Sequence, residues 1–395
     1  MGRRIGIVGV GFTKHVAYDV ERSWKEMLAE AVTEAVNDSG LNRRDIQGGI
    51  VAYHGEAMIE TGNIGPIVAD TTGIDPAGVT GISVACAGGA VALYHAYALV
   101  ASGLCDVALA AGFEKGSDVY EYIETITPSS ESDYDYAFGL THLDWLGLIT
   151  LRYGQKHAAD IAEAAVTWIA DRHWFARRHP QAFYYGQDLP SRDDFKRNMM
   201  YWASARADGA AAVIVASESV ARRLRKPAIY VDGIGYACAS AYLPNRFHHP
   251  WANPETDIAD SEVTRIAAQR AYQMARLENV QSIDLVQVSD GSPGITFIEL
   301  EALGLYPRGS SWKGILAGDH GLTGRIPANT YGGSIAFGHS SGANALVAVS
   351  ESVLQMRGEA GERQVPRPVK TSICQASGGS NSNNVVIVLR GKNHV

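Results

Sequence analysis

The sequence predicts an α/β layer protein made of two similar halves, and three observations carry that prediction. Apolar runs of strand length, such as "RRIGIVGVGF", "IQGGIVAYHGE", "DVALAAGFEK" and "GAAAVIVAS", alternate with stretches of helical periodicity. That is the pattern of buried strands covered by helices. The stretch "CAGGAVALYHAYALVASG" (86–103) has an echo of equal length in "SGANALVAVSESVLQMRG" (341–358). Both open on small residues, close on glycine and run on towards a buried strand. A second echo joins "AVTEAVNDSGLNRRDIQGGIV" (31–51) to "AAQRAYQMARLENVQSIDLVQV" (267–288), each a helix, a short polar loop and a strand. Two internal echoes imply a duplicated βαβ-type half.

Along the chain, "RRIGIVGVGF" is the first strand. The helix after it starts behind Ser23, with Glu26 placed to complete a capping box, and stops at Gly40. Trp24, Met27, Leu28, Ala31 and Ala35 fall on one face of it. "IQGGIVAYHGE" gives the next strand and "NIGPIVADTTG" a short helix. "GISVA" is a strand running into the 86–103 helix, and "DVALAAGFEK" is another buried strand. From about 116 to 204 the texture becomes aromatic, acidic and irregular, as in "DVYEYIETITPSSESDYDYAFGLTHLDW". This marks a long insertion over one face of the sheet, the usual place of a lid or substrate pocket. Tyr120, Tyr122, Tyr134, Tyr136 and Trp145 are its candidates for shaping a bulky or aromatic pocket. The layers resume at "GAAAVIVAS" and "PAIYVDGIGYACAS". The first half, insertion included, is assigned to 1–255 and the second to 256–395.

A formal charge of −8 argues against a partner rich in phosphate, whether nucleic acid or an anionic membrane surface. No apolar run reaches the roughly 18 residues of a spanning helix. Cys86, Cys105, Cys238 and Cys374 stand far apart with no CxxC pair. Neither a zinc site nor a disulfide framework is therefore expected, and a reducing cytoplasm is the implied compartment. "GIVGVGFTKH" fails as a dinucleotide fingerprint, because Lys14 occupies the place of the third glycine.

Cys86 stands where a strand turns into the first turn of a helix. A helix N-terminus offers free N–H groups and partial positive charge, which lower a thiol's pKa and can hold an oxyanion. If the equivalent helices of the two halves pack side by side, Cys86 and Ser341 face one site. Just before Ser341, "YGGSIAFGHSSG" carries His339 in a glycine-rich loop. A histidine there can take a thiol's proton and return it. On position alone, Cys86 equally suits a small buried hydrophobe and His339 a hydrogen-bonded turn residue.

Together these segments resemble the thiolase superfamily. "VACAGGAVAL" resembles its nucleophile segment, "GGSIAFGHSSGANAL" its histidine motif, and "SICQASGGSNSNNVVIVL" its C-terminal glycine-rich hairpin. The resemblance implies a five-layered αβαβα fold of two similar halves, working as a dimer. It also implies Cys86 as the acyl-accepting nucleophile and His339 as its activator. "AYHGEAMIETGNIGP", "DYDYAFGLTHLD" and "NRFHHP" resemble the sterol-carrier-type and archaeal thiolases and the condensing subunit of bacterial phloroglucinol acetyltransferase. By that resemblance His54, His142 and Ser341 join the site. The same subgroup implies pairing with a small zinc-ribbon/OB-fold protein, which must be a separate chain.

There are departures. Where thiolases carry Asn or His in a third motif, "VSDGSPGITFIELEALG" has Ser289 followed by Asp290. The second, acid/base cysteine of thiolases falls on Gly291 or near Ala376, with Cys374 two residues away, and the proline of the histidine motif is Ser340. The nucleophilic half of the machinery is complete and the proton partner of the second substrate is changed, so His54, His142 or Ser341 is expected to replace it. The expected function is making or cleaving a carbon–carbon bond in a β-ketoacyl-CoA through an acyl-cysteine. Gly378 and Gly379 would hold the oxyanion, and Ser289 and Asp290 would position substrate. Coenzyme A is substrate or product, with no permanently bound cofactor and no metal. A bulky acyl group such as that of benzoylsuccinyl-CoA fits the aromatic insertion. Acylation of a phenolic ring and a non-catalytic scaffold subunit are the alternatives.

Overall fold

The computed structural model describes residues 3–119, 126, 134–246 and 257–391. The strands, in chain order, are β1 (Ile5–Phe12), β2 (Gly48–Ala52), β3 (Gly78–Ile82), β4 (Val107–Glu114), β5 (Gly209–Ser217), β6 (Ile229–Cys238), β7 (Leu285–Gln287), β8 (Thr371–Gly378) and β9 (Asn383–Arg390). They form one mixed sheet in the order β3-β2-β4-β5-β1-β6-β9-β8-β7. The main helices are α1 (Trp24–Ser39), α2 (Ile64–Thr72), α3 (Gly88–Ser102), α4 (His142–His157), α5 (Ile161–Ala176), α6 (Arg192–Arg197), α7 (Glu262–Ala275), α8 (Pro293–Ala302), α9 (Gly333–Phe337) and α10 (Asn344–Arg357).

The duplication is visible in the pairing. β2 runs parallel to β4, which is antiparallel to β5, which is antiparallel to β1. β7 runs parallel to β8, which is antiparallel to β9, which is antiparallel to β6. Each half also seats its outer helix by the same device. A Cβ on Gly9 or Gly11 of β1 would lie 2.2 or 2.4 Å from the carbonyl oxygens of Ala35 or Ala31 in α1. A Cβ on Gly233 or Gly235 of β6 would lie 2.1 or 2.0 Å from those of Ala271 or Ala267 in α7. Glycine in the strand and alanine in the helix let the two backbones touch. The glycines of "GIVGVGF" therefore serve packing.

α1 starts as predicted, with Ser23 and Glu26 closing a capping box and Gly40 left-handed (φ 73°) at its end. It lies with α2 on the outer face of the first half. α3 and α10 pack against each other between the two halves of the sheet, and α7 covers β6 and β9 from the far side. The result is the five-layered αβαβα arrangement. β1 meets β6 at only Gly6–Tyr230 and Ile7–Ile229. Strand pairing thus draws the line between the halves at β5/β6, ahead of the expected 255/256, which lies outside the described residues.

The long connection between β4 and β5 contains α4, α5 and α6, whereas its counterpart between β8 and β9 is the turn at 379–382. That contrast identifies the insertion. One sequence expectation is corrected in the core: the Ala85–Ser102 window has a mean hydropathy of 1.3, enough by length and composition for a spanning helix. Its small residues raise that average because α3 is the central helix of the core, with Gly88–Leu93, Ala96 and Val100 buried.

Candidate active site

Cys86 sits in a single 3-10 turn, Ala85–Ala87, between β3 and α3. Ala85 is left-handed (φ 46°), a conformation that costs a non-glycine residue energy and recurs where function demands a set geometry. The second half reaches this turn through Gly342. A Cβ there would lie 2.5 Å from the carbonyl oxygens of both Ala52 and Phe113, and Gly342 O itself presses on Gly89 and Gly112. The small residues of the two echoed segments thus let the two helix starts meet. Cys86 Sγ lies 4.0 Å from Ser341 Oγ, as the duplication predicted.

His339 arrives on the loop between α9 and α10. Its N–H donates to Ala205 O at 2.6 Å and its carbonyl accepts from Ala207 N–H at 3.2 Å, so the end of the insertion fixes it. His339 Nε2 stands 3.1 Å from Cys86 Sγ. Cys86 is partly exposed, and with His339 it lines a cavity of about 990 Å³. His54, His142, Ser341 and Gly379 line the same cavity. The sequence-predicted nucleophile, its base and four of the other candidates are therefore brought together.

The charge state differs from the expectation. Burial, partly offset by the Ser341 hydroxyl, pushes the Cys86 thiol up to about 11. Burial and the fields of His142 and His54 pull His339 down to about 3. The resting pair is a neutral thiol beside a neutral imidazole. Loss of solvation outweighs the helix-start field that was expected to ionise the sulfur. In such a pair a thiol can act as a nucleophile only if its proton leaves as it attacks, and the ring 3.1 Å away is placed to take it.

A small recess of about 40 Å³ opens behind Cys86, lined also by His142, His339, Ser289, Ser377, Gly378, Ser380 and Asn381. His142 and His339 thus face both spaces. Burial, then the field of His54, draws His142 down to about 4, and burial lowers His54. Both rings are neutral near neutral pH. Ser289 accepts from Ser377 N–H at 2.7 Å and donates its own N–H to Gln375, so it stitches β7 to β8 at the edge of the recess. Asp290 is fully buried and accepts from Ser334 N–H at 2.7 Å. It holds the first turn of α9 behind the histidine loop and lines neither space, which corrects its expected substrate-positioning role. Gly378 abuts the nucleophile turn: a Cβ there would be 2.6 Å from Ala87 N.

Cys374 is not a second active-site thiol. It shares a face of β8 with Ala376, which lines the recess, but lies two residues deeper under Ser352 (Sγ–Oγ 3.2 Å). The predicted aromatic pocket residues are also corrected. Tyr134 and Tyr136 are exposed, Trp145 is fully buried, and Tyr120 and Tyr122 lie outside the described residues. The cavity wall comes instead from Leu146, Ile161, Phe183, Tyr184, Met200 and Trp202, residues of α4 and the later insertion. No periodicity marks these in an irregular stretch. Among the described residues, no group of three or more His, Cys, Asp or Glu side chains could hold a metal ion.

Comparison with known proteins identifies the family. Residues 6–183 match the thiolase N-terminal domain and 246–391 the thiolase C-terminal domain-like family. The acetyl-CoA acetyltransferase of Methanothermobacter thermautotrophicus (strain Delta H) is 30% identical over 92% of this chain and 93% of its own. The chain belongs to the thiolase family. As such it is an acyltransferase. The benzoylsuccinyl-CoA thiolase subunit BbsB of Thauera aromatica is 24% identical over 95% of each chain. Among solved structures, the Ltp2-ChsH2(DUF35) aldolase superposes with a TM-score of 0.83 at 21% identity, over 99% of each chain, which supports the thiolase fold.

Proposed function

We propose that this thiolase makes or cleaves a carbon–carbon bond in a β-ketoacyl-CoA with a bulky or aromatic acyl group, through an acyl-Cys86 intermediate. The 3.1 Å contact between Cys86 Sγ and His339 Nε2 at the wall of an apolar cavity carries the reading. In the cleaving direction His339 takes the thiol proton as Sγ attacks the keto carbonyl. N–H groups at Cys86 and in the glycine loop 378–381 hold the oxyanion. The carbon–carbon bond then breaks, and the departing enolate of the shortened thioester takes up the proton that His339 removed from the thiol, which leaves His339 neutral. Coenzyme A next gives its proton to the neutral His339 and its sulfur to the acyl carbon, and that proton returns to Cys86 Sγ as it leaves.

His142 relays that proton to the enolate, taking it on one ring nitrogen and releasing one from the other, because it faces both the cavity and the recess where a second thiolase cysteine would stand; His54 lies beside it. His142→Ala is expected to slow carbon–carbon bond change by about 10²–10³, and acylation of Cys86 by a simple acyl-CoA, which breaks no carbon–carbon bond, by less than tenfold. Equal losses in both would overturn the assignment. Turnover of a panel of β-ketoacyl-CoA thioesters with free coenzyme A tests the substrate class. Among the described lining residues Arg206 is the one charged side chain other than histidine, a suitable contact for a carboxylated acyl group such as that of benzoylsuccinyl-CoA. A diacylated phenol turned over in preference to the thioesters would favour ring acylation, the reading that the extra histidines opposite Cys86 support. Failure of Cys86 to acylate with any thioester would leave the scaffold role.

We also infer a homodimer, since β3 is the outermost strand of the sheet and is only partly covered. An open edge strand invites pairing with a second copy. Light scattering should give about twice the 42.3 kDa of one chain, and a mass of 42.3 kDa would overturn this. A separate zinc-ribbon/OB-fold partner is proposed on the likeness to the Ltp2-ChsH2(DUF35) assembly, with co-purification as its test. A reducing, cytoplasmic setting is proposed from four free cysteines, one of them the exposed Cys238. A disulfide at Cys238 in protein isolated under thiol-blocking conditions would contradict it.

A further inference from the structure

We propose that Arg246 is a positioning residue for acylation, fixing the glycine loop after β8 so that its peptide N–H groups serve the reaction at Cys86. The inference rests on the acyl-transfer reading above. β8 ends at Gly378, and the chain returns through Gly379, Ser380 and Asn381, all left-handed at φ 56°, 51° and 71°. Two of the three carry side chains, so this turn is strained and needs its surroundings to hold it. Ser382 closes part of it, through its N–H to Gly378 O at 3.0 Å and its hydroxyl to Gly379 O at 2.8 Å. Asn381 Nδ2 ties it to Ser261 Oγ at 2.9 Å.

The cationic hold comes from Arg246. Its guanidinium donates to Ser380 O and, at 3.2 Å, to Gly379 O, while Nε donates to Ser240 O at 2.9 Å. The group lies 4.8 Å over the Trp145 ring, and Asp135 is its nearby counter-charge. Arg246 lines neither the cavity nor the recess, so it acts on substrate only through the loop. The carbonyls of Gly379 and Ser380 belong to the peptide groups that carry the N–H of Ser380 and of Asn381. A cation bonded to such a carbonyl polarises the N–H on its other side and makes it a stronger donor. Ser380 and Asn381 line the recess beside Cys86, and Ser380 Oγ is 3.4 Å from His142 Nδ1. Trp145 and His142 both stand on α4, so the insertion supports this loop as well as walling the cavity.

The test compares two reactions of the same sulfur in the full-length protein. Acylation by a thioester develops an oxyanion, whereas carboxymethylation by iodoacetate does not. Arg246→Ala is expected to slow acyl-enzyme formation by about 10²-fold, the usual cost of losing an oxyanion donor. KM should stay within about threefold, and carboxymethylation of Cys86 at pH 9 within about twofold of the parent. Arg246→Lys, which keeps the charge but not the fork, should recover part of the loss. Acylation within twofold of the parent in both variants would overturn the proposal. So would equal losses of acylation and carboxymethylation, which would mark a general structural role. If the unaltered protein does not acylate, the acyl-transfer reading itself fails, a result distinct from either.

Discussion

Serine in place of Cys86 is expected to abolish acyl-enzyme formation, with a loss on the order of 10⁵ in turnover, the scale seen when a covalent nucleophile is removed. The reason is electronic. A serine hydroxyl fits the same turn and the same 3.1 Å approach to His339, so the fold and the cavity survive. It is far harder to deprotonate than a thiol, and a neutral imidazole at this distance is too weak a base to do it. Intact-mass measurement after incubation with thioester reads the result directly: a mass gain on the parent and none on Cys86→Ser. An undiminished mass gain on the variant would place the acyl group elsewhere and remove Cys86 from the mechanism.

His339→Ala should lower acylation by about 10³, within the range for a general base. Combined with Cys86→Ser it should cost little more, because the two act as one unit. The charge states add a pH signature. The Cys86 thiol is pushed up to about 11 and His339 is drawn down to about 3, both chiefly by burial, so neither ionises near neutrality. The thiolate fraction of the resting enzyme therefore grows about tenfold per pH unit up to that high pKa. Carboxymethylation of Cys86 should rise steadily between about pH 8 and pH 10 with no plateau at neutral pH. A neutral plateau would reveal a preformed thiolate–imidazolium pair and overturn the concerted proton transfer. Slow labelling at pH 7 is consistent with an active enzyme, since substrate binding and attack, not resting ionisation, draw the proton to His339.

The fold was legible because its signals are local or repeat. The Ser23–Glu26 capping box, the apolar face of α1, most of the strands and the 86–103/341–358 echo all lie within short windows and appear where they were read; "GISVA" does not, since β3 ends at Ile82, is partly exposed, and gives way to the turn at Ala85–Ala87. The alignment of 31–51 with 267–288 even matches Ala31 and Ala35 to Ala267 and Ala271, the helix alanines that receive the strand glycines of each half. The insertion was recognisable by texture, but not its contents. Tyr134 and Tyr136 turned outward, and the cavity wall fell to Phe183, Tyr184 and Trp202, because an irregular segment has no period from which to infer facing.

What the sequence determined by itself was the chemistry's cast: a cysteine and a serine at two equivalent helix starts, a histidine in a glycine loop, and a changed third motif. Those follow from residue type and order, which need no coordinates. The tertiary structure alone decided their state and their support. Whether a thiol ionises depends on how much water the packed layers remove from it, and that sum runs over both halves of the chain. Arg246 reaches the carbonyls of Gly379 and Ser380 across more than 130 positions, Asp290 turned inward to hold α9, and Cys374 was roofed by α10. Contacts of that range are set by how the halves dock, and no local pattern encodes them.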